Sequence, residues 1–278
     1  METTDRPQTP SLEDVHRYWE AAPIFSLEVQ AEPGTEAFYE AVDLLKRTDV
    51  ERFGMGFWQF DSCRGLKVLE LGCGSGWLSA NYARGGAELV ATDLTPRAVE
   101  LTRKYLDMRG LAAVVCQANA EELQFPGRSF DLVVASGVIH HTPHVERVAS
   151  EIARVLKPGG TALISVYYRN LLLRPYSFWL TRRAVRLVSV QSRAFGRSAS
   201  IDDFTRRYDG DENPLGLAFS KKGLRQVFSG LRLRRFEVHY FPTRFLPVAR
   251  AGSRLHRMLD RWLGTMLYAA FQKEGGKP

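Results

Sequence analysis

Cysteine is scarce in this sequence. Cys63, Cys73 and Cys116 are the only three among 278 residues, and their spacing matches neither a zinc site nor a redox pair. An odd, widely spaced set of thiols is typical of a reducing compartment. The sequence also lacks any run of roughly 18 apolar residues that would span a bilayer, and residues 1–10 lack the apolar core of a secretory signal. These absences predict a cytoplasmic chain with neither a disulfide nor a structural metal.

Acidic residues are under-represented in one part of the chain. Residues 169–261 hold 20 Lys and Arg against 7 Asp and Glu, a formal charge of +13, although the whole chain carries only +7. Within residues 171–195, arginines alternate with Leu, Phe, Trp and Val. Such a segment fits peripheral contact with an anionic membrane, a lipid-linked acceptor, or a solvated helix that covers an active site. We see no aromatic-interleaved RNA motif, so nucleic acid is not an expected partner.

Glycine, in contrast, is concentrated in one turn. Residues 72–76 have glycine at every second position and follow an apolar segment, residues 67–71. Glycine adopts positive φ and lets a ligand lie against bare backbone, while the amides of the following helix face that ligand. The third glycine comes one residue earlier than in the dinucleotide fingerprint, where Trp77 stands instead, and no P-loop Lys follows. Because Glu70 adds a carboxylate beside the turn, the residues favour a cationic, nucleotide-like cofactor.

Apolar segments alternate with helical segments along the middle of the chain. Alternation of this kind predicts an α/β fold with a parallel sheet, and ligands then bind at the carboxyl ends of the strands. The pattern predicts helices at 76–84, 96–109 and 144–156, with Thr95 as an N-cap and Pro96 at the first helical position. It predicts strands at 66–71, 88–92, 112–117, 130–135, 161–167, 231–241 and 265–273.

Five segments resemble, in order, the motifs of class I S-adenosylmethionine-dependent methyltransferases: residues 70–76, 88–93, 117–121, 129–134 and 155–160. The resemblance covers residues 65–167. It implies a Rossmann-like three-layer sandwich with a seven-stranded, mostly parallel sheet and an antiparallel final strand. It also implies S-adenosyl-L-methionine as the cofactor. The strand end at residues 161–170 and the Asn213-Pro214 loop further resemble a bacterial subgroup of the family, which implies no particular substrate.

The same resemblance implies the residues that hold the cofactor. Asp93 would accept hydrogen bonds from both ribose hydroxyls, Leu94 would cover one face of the adenine, and Ser136 would lie near the methionyl amine. Asn119 stands where the family often has Asp, so its neutral amide would be a weaker partner for the adenine amino group. The full predicted set is Glu70, Gly72, Cys73, Gly74, Gly76, Asp93, Leu94, Asn119, Ala120, Glu121 and Ser136.

The chain divides into four predicted parts. Residues 1–64 would form an N-terminal helical lid, residues 65–167 the cofactor-binding core, residues 168–230 a basic helical insertion between strands five and six that caps the acceptor, and residues 231–278 the last two strands and the C-terminus. A connection as long as the insertion is a functional suspect in a compact domain. Tyr18, Trp19 and Tyr168 are the predicted contacts of lid and acceptor.

Two adjacent histidines, His140 and His141, follow the fourth predicted strand. Histidine titrates near neutral pH, so one of them is a candidate general base or a group that orients the acceptor. The alternative is that both bond backbone carbonyls and shape the pocket. We expect no metal here, because adjacent residues on extended backbone point in opposite directions.

The sequence therefore predicts a methyltransferase that moves a methyl group to a small-molecule or lipid-like acceptor by in-line displacement. Methylation at oxygen, nitrogen or carbon remains open, as does the oligomeric state. Three alternatives stay beside it: an enzyme of this fold with a non-methyl reaction such as cyclisation, a nicotinamide oxidoreductase, which Trp77 disfavours, and a basic membrane- or partner-binding protein with a vestigial pocket. The expected location is the cytoplasm, peripheral to the inner face of the membrane.

Overall fold

One mixed sheet organises the molecule. The computed structural model describes residues 10–25, 28–50, 52, 54–188, 196–241 and 254–275. In these residues the strands are β1 (Lys67–Leu71), β2 (Glu88–Asp93), β3 (Val114–Gln117), β4 (Phe130–Ser136), β5 (Leu156–Tyr168), β6 (Ala218–Phe219), β7 (Arg232–His239) and β8 (Met266–Gln272). The sheet order is β3-β2-β1-β4-β5-β8-β7, with β6 paired to the end of β5. Strands β1 to β5 pair in parallel, and β8 is antiparallel to both β5 and β7.

Helices cover the sheet and extend from it. They are α1 (Leu12–Ala21), α2 (Glu36–Leu45), α3 (Gly54–Phe57), α4 (Trp77–Arg84), α5 (Pro96–Met108), α6 (Val145–Val155), α7 (Phe178–Val188), α8 (Ile201–Arg206), α9 (Lys221–Val227) and α10 (Arg254–Leu263). A π-helical turn follows α2 at Lys46–Val50, and 3₁₀ turns lie at Phe60–Ser62, Ile139–His141, Leu171–Leu173 and Arg207–Asp209. Among the helices so described, none is both long and apolar enough to cross a membrane.

Several helix starts are fixed by local capping. The Thr95 side chain accepts a hydrogen bond from the Ala98 amide at the start of α5, with Pro96 next to it as predicted. Ser220 likewise accepts from the Gly223 amide and caps α9. At the N-terminus, Ser11 and Asp14 form a reciprocal capping box on α1. Each cap satisfies backbone donors that a helix start otherwise leaves unpaired.

The predicted α/β fold is confirmed, with two differences in the sheet. The structure has an eighth strand, β6, whose two residues are too few to carry a periodic pattern. Strand β5 begins at Leu156 rather than at residue 161, because Leu156 pairs with Phe130 across an irregular register. Gly159, at φ +80°, lies within that irregularity. The four-part division of the chain stays a prediction.

The core lies in two layers. Neighbouring strand residues point to opposite faces of a sheet, and accordingly Val68 packs in one buried cluster with residues of α2, α4 and α5, whereas Leu69 packs in the other with residues of α6 and α9. The register aligns the carboxyl ends of the central strands, since Leu71 of β1 lies opposite Thr92 of β2 and Ala135 of β4. The residues that follow these strands are therefore brought together at one edge.

Candidate functional site

A cavity of about 360 Å³ lies at the carboxyl ends of β1, β2, β4 and β5, under helix α1. Ten of the predicted site residues line it: Trp19, Gly72, Gly74, Asp93, Leu94, Asn119, Ala120, Ser136, His140 and His141. A second cavity, of about 610 Å³, lies along the outer side of α5 and contains none of them. The first cavity is therefore the candidate site.

The glycine turn requires glycine for two separate reasons. Gly72, Gly74 and Gly76 have φ values of +71°, +53° and +82°, a region that other residues rarely adopt. A Cβ on Gly72 would lie 2.1 Å from Val138 Cγ2, and one on Gly74 would lie 2.8 Å from Ile24 Cγ2. A bare backbone here fits the close approach of a bound ligand. Cys73, between the glycines, is buried and does not line the cavity.

Asp93 is held at the cavity wall by the turn that it faces. Its Oδ2 accepts from the Gly74 amide at 3.0 Å, and its Oδ1 accepts from both the amide and the hydroxyl of Thr95 at 3.0 Å. Burial raises the pKa of this carboxyl, and the hydrogen bonds from Thr95 and Gly74 oppose that rise. The carboxylate is fixed in orientation before any ligand arrives.

Glu70 lies beneath the turn instead of lining the cavity. The carboxyl is 1% exposed, and Ser79 Oγ donates to its Oε2 at 2.5 Å. Burial raises the pKa of Glu70 to about 8, and the neighbouring Asp93 adds to the rise. The expected direct contact between this carboxylate and a cationic ligand is therefore not supported, because the side chain of a buried strand residue points into the core.

Residues 119–121, part of the third of the five segments, also make hydrogen bonds among the loops. Asn119 and Ala120 line the cavity, but Asn119 Oδ1 also accepts from the Glu121 amide at 2.9 Å. Glu121 is turned away from the cavity, and its Oε1 accepts from the His144 amide at 3.0 Å. Glu121 thus joins two loops rather than lining the site.

The expectation that His140 and His141 point in opposite directions is wrong. They lie in the 3₁₀ turn Ile139–His141, not on extended backbone, and their ring centroids are 4.2 Å apart. Both rings line the cavity. A tight turn after β4 brings both side chains to the cavity wall.

His141 has a protein partner on each ring nitrogen. Its Nδ1 donates to the Leu215 carbonyl at 2.5 Å, and its Nε2 lies 3.2 Å from Asp209 Oδ2. The Tyr167 hydroxyl donates to the same carboxylate, and the Tyr18 hydroxyl donates to the Asp209 backbone carbonyl. Both ring nitrogens of His141 therefore have a protein partner.

His140, unlike His141, lacks a hydrogen-bond partner on one ring nitrogen among the residues described. Its Nδ1 is buried and has no hydrogen-bond partner in the described part of the chain. Burial, followed by the neighbouring His141, holds the pKa of His140 well below its usual 6.5, so the ring is neutral at neutral pH. The ring centroid lies 4.0 Å from that of Tyr167. His140 therefore presents a neutral imidazole to the cavity.

His140, His141 and Asp209 form a grouping that the sequence argument did not anticipate. Each offers one nitrogen or oxygen ligand atom, and these atoms lie within 4.8 Å of one another. The residue types suit a transition metal. His141 and Asp209, however, are already paired with each other and with the Leu215 carbonyl and Tyr167.

The aromatic residues predicted to contact cofactor or acceptor lie in different places. Trp19 lines the cavity, and its ring centroid lies 5.0 Å from that of His141. Tyr18 reaches the site only through Asp209 and packs edge-on against Trp19. Tyr168 is outside the cavity, against Phe236, whereas the preceding residue, Tyr167, lines it. Successive residues of a strand point to opposite faces, so the predicted strand-end tyrosine is one position off.

The sequence did not predict where Lys46 and Trp77 lie. Lys46 lines the cavity, with its Nζ 5.1 Å from the ring centroid of Phe25 and 5.5 Å from that of Trp77. No sequence pattern singled it out. Trp77 does not line the cavity, and its Nε1 donates to Asp43 at 2.9 Å. The indole therefore packs between α2 and α4 instead of standing in the path of a cofactor.

Comparison with known proteins agrees with this geometry. A model of the methyltransferase domain matches residues 69–164, the segment that contains the glycine turn, Asp93, Asn119 and the two histidines. Over these residues, about a third of the chain, the protein is similar to methyltransferase domains. The methyl donor that this domain implies is S-adenosyl-L-methionine.

The similarity to curated relatives is confined to part of each chain. A ubiquinone biosynthesis O-methyltransferase of Agrobacterium fabrum is 27% identical over 145 residues, 52% of this chain and 58% of its own. One from Cereibacter sphaeroides is 35% identical over 107 residues, 38% of this chain and 43% of its own. The chain thus spans about half the length of the curated relatives that it matches.

Solved structures of low sequence identity share the methyltransferase fold along most of the chain. The [4+2]-cyclase SpnF superimposes with a TM-score of 0.59 at 16% identity, over 97% of this chain and 98% of that one. An S-adenosylmethionine-dependent methyltransferase from Mesorhizobium loti gives a TM-score of 0.53 at 19% identity, over 76% of this chain and 92% of that one. At these identities the likeness concerns the fold alone.

Proposed function

We propose that this chain transfers a methyl group from S-adenosylmethionine to a hydroxyl oxygen of a small, lipid-like aromatic acceptor. The observation that carries the proposal is one cavity lined by two chemically different sets of residues. The glycine turn and Asp93 are one set, and His140 with Trp19 and Tyr167 is the other. Oxygen as the methylated atom is favoured by the relatives, which are named O-methyltransferases.

The residues that line the cavity near the glycine turn fit the proposed donor. Asp93 would accept from the two ribose hydroxyls, and Ala120 and Asn119 line the cavity beside the place proposed for the adenine ring. Lys46 brings a positive charge that suits the methionyl carboxylate. When bound, S-adenosylmethionine supplies a methyl group already activated by a sulfonium, so the protein has mainly to align the acceptor and exclude water.

His140 is the proposed proton acceptor. Its unpartnered Nδ1 is available to take the proton that the acceptor hydroxyl loses as its oxygen attacks the methyl carbon. General-base catalysis needs a neutral acceptor nitrogen within hydrogen-bond reach of the proton. His141 acts as a positioning residue, since its pair with Asp209 and its bond to the Leu215 carbonyl hold residues 207–215 over the cavity. No metal is needed for these steps.

The predicted domain roles are part of the proposal. Residues 1–64 would act as a lid, supported by Trp19 at the cavity wall and by the bond from Tyr18 to Asp209. Residues 168–230 would cap the acceptor, supported by Tyr208 and Asp209 at the same wall. Residues 65–167 would hold the cofactor, and residues 231–278 would complete the sheet. Flexible segments that close over a bound substrate commonly serve this purpose.

Calorimetric titration with S-adenosylmethionine, S-adenosylhomocysteine and NADH tests the donor. We expect binding of the first two and none of NADH. Incubation with S-adenosylmethionine and phenols that carry isoprenoid tails then tests the reaction, with S-adenosylhomocysteine as the measured product. Product without S-adenosylhomocysteine would indicate a non-methyl reaction such as cyclisation, and binding of none of the three ligands would indicate a vestigial pocket.

The Asp93→Ala variant is expected to bind S-adenosylmethionine about 10- to 100-fold more weakly. The reason is the loss of hydrogen bonds to a charged group, worth about 1.5–3 kcal/mol. Calorimetry measures the affinity, and thermal unfolding shows whether the variant is folded, because Asp93 also holds Gly74 and Thr95. The control is Asp107→Ala, an exposed carboxylate on α5, which should bind normally. Unchanged affinity in Asp93→Ala would refute the ribose assignment.

A further inference from the structure

Helix α10 buries two polar side chains and exposes three large apolar ones. His256 and Asp260, four residues apart, are 5% and 3% exposed. Leu255, Met258 and Trp262 are 45%, 52% and 58% exposed. An amphipathic helix on the surface of a water-soluble domain has the opposite orientation.

The inward side of α10 is held by polar contacts. Asp260 Oδ1 accepts from the Phe241 amide at 2.6 Å and lies 3.7 Å from His256 Nε2. Arg52 approaches His256 Nδ1 at 3.2 Å. These contacts determine the rotation of the helix about its axis, and the outward position of Met258 and Trp262 follows from it.

A second apolar segment lies next to α10. The 3₁₀ turn Leu171–Leu173 packs against both α7 and α10. Asn170 Nδ2 donates to the carbonyls of Leu263 and Gly264, at 2.9 and 3.2 Å, and so ties the turn to the end of α10. From this turn to the start of α7 the large exposed side chains are Leu171, Leu172, Tyr176, Trp179 and Leu180. We call the exposed side chains of residues 171–184 and 254–263 the apolar face.

Within the two segments of the apolar face, the exposed charges are of one sign. Residues 171–188 contain no Asp or Glu, and the one acidic residue in α10, Asp260, is buried. Arg254, Arg257 and Arg261 are exposed on α10, and the first segment adds Arg174, Arg182 and Arg183. Tryptophan and leucine among exposed arginines are what an anionic lipid surface binds, since the apolar groups enter the interface and the cations pair with headgroups.

We propose that the apolar face seats this protein on the surface of an anionic lipid bilayer. The segment that leaves α10 continues directly into Thr265 and Met266, which line the cavity. A seated protein would therefore have its cavity next to the bilayer. Docking itself does not depend on the proposed reaction, whereas delivery of the acceptor from the bilayer rests on it. The predicted location at the inner face of the membrane becomes part of this proposal.

Co-sedimentation with vesicles tests the docking. One set of vesicles is pure phosphatidylcholine, and the other contains phosphatidylglycerol as a minority lipid. We expect binding to the second set, weakened by salt. The variant Trp179→Glu/Trp262→Glu should lose at least about tenfold in vesicle affinity, as should Arg254→Gln/Arg261→Gln. The matched control is Leu44→Glu/Val114→Glu, which adds the same charges at exposed apolar residues elsewhere and should bind like the unchanged protein.

Three outcomes would overturn the proposal. They are no binding to phosphatidylglycerol vesicles at low salt, equal binding by the Trp179→Glu/Trp262→Glu variant and the control, and a dimer by light scattering that this variant dissociates without any vesicle binding. The last would mean that a second copy covers the apolar face. Cofactor titration of the same variants separates this test from that of the proposed function, because docking can fail while S-adenosylmethionine still binds.

Discussion

The His140→Ala variant is expected to turn over about 10²- to 10⁴-fold more slowly than the unchanged protein, with little change in its affinity for S-adenosylmethionine. A positioned general base contributes a factor of this size. His140 has the neutral ring and the unpartnered Nδ1 that the role requires. Single-turnover rates at saturating cofactor measure the chemical step, and calorimetry measures the affinity.

The pH profile of turnover provides an independent check on the same residue. The neutral form of His140 is the active one, and burial holds its pKa well below 6.5. The rate should therefore stay level as the pH falls through 6.5 and decline only at distinctly lower pH. His144→Ala, an exposed histidine three residues after His141, is the matched control. If neither His140→Ala nor His141→Ala slows turnover, the histidines serve only the structure.

The Glu70→Gln variant is expected to be more stable than the unchanged protein, and increasingly so as the pH rises. Glu70 has a pKa of about 8 in the folded chain against an ordinary value of 4.5. Its protonated form therefore favours folding below pH 4.5, and this contribution is lost progressively as the pH rises towards 8. At 1.36 kcal/mol per pKa unit, the shift corresponds to roughly 4–5 kcal/mol.

Glutamine reproduces the neutral carboxyl at every pH and still accepts the hydrogen bond from Ser79. Thermal and urea unfolding at pH 5 and pH 8 measure the difference, which should be small at pH 5 and several kcal/mol at pH 8. Glu88→Gln, an exposed glutamate on β2, is the control and should change little at either pH. A Glu70→Gln stability gain that is equal at both pH values would contradict a raised pKa.

Much of the fold was accessible to sequence reasoning because its signals are local. The spacing of apolar residues and the cap at Thr95 depend on neighbours within a few positions. The glycine turn is equally local, since positive φ at three alternate residues is a property of the turn itself. Strand β5 and strand β6 were the exceptions. The early start of β5 depends on a partner strand, and β6 pairs with a residue some 50 positions away.

By itself, the sequence determined the order of strands and helices, the cofactor turn, Asp93 at the end of β2 and the presence of His140 and His141 beside it. Only the tertiary structure decided which groups these residues meet. Tyr18 and Asp209 are 191 positions apart, and His141 and Leu215 are 74 apart. Tertiary packing also buries Glu70 beneath the turn and places Tyr167, not Tyr168, at the cavity wall. It leaves Leu255, Met258 and Trp262 of α10 exposed. The physical reason is that such contacts depend on the packing of distant elements, and a pattern along the chain records only what neighbours in sequence require.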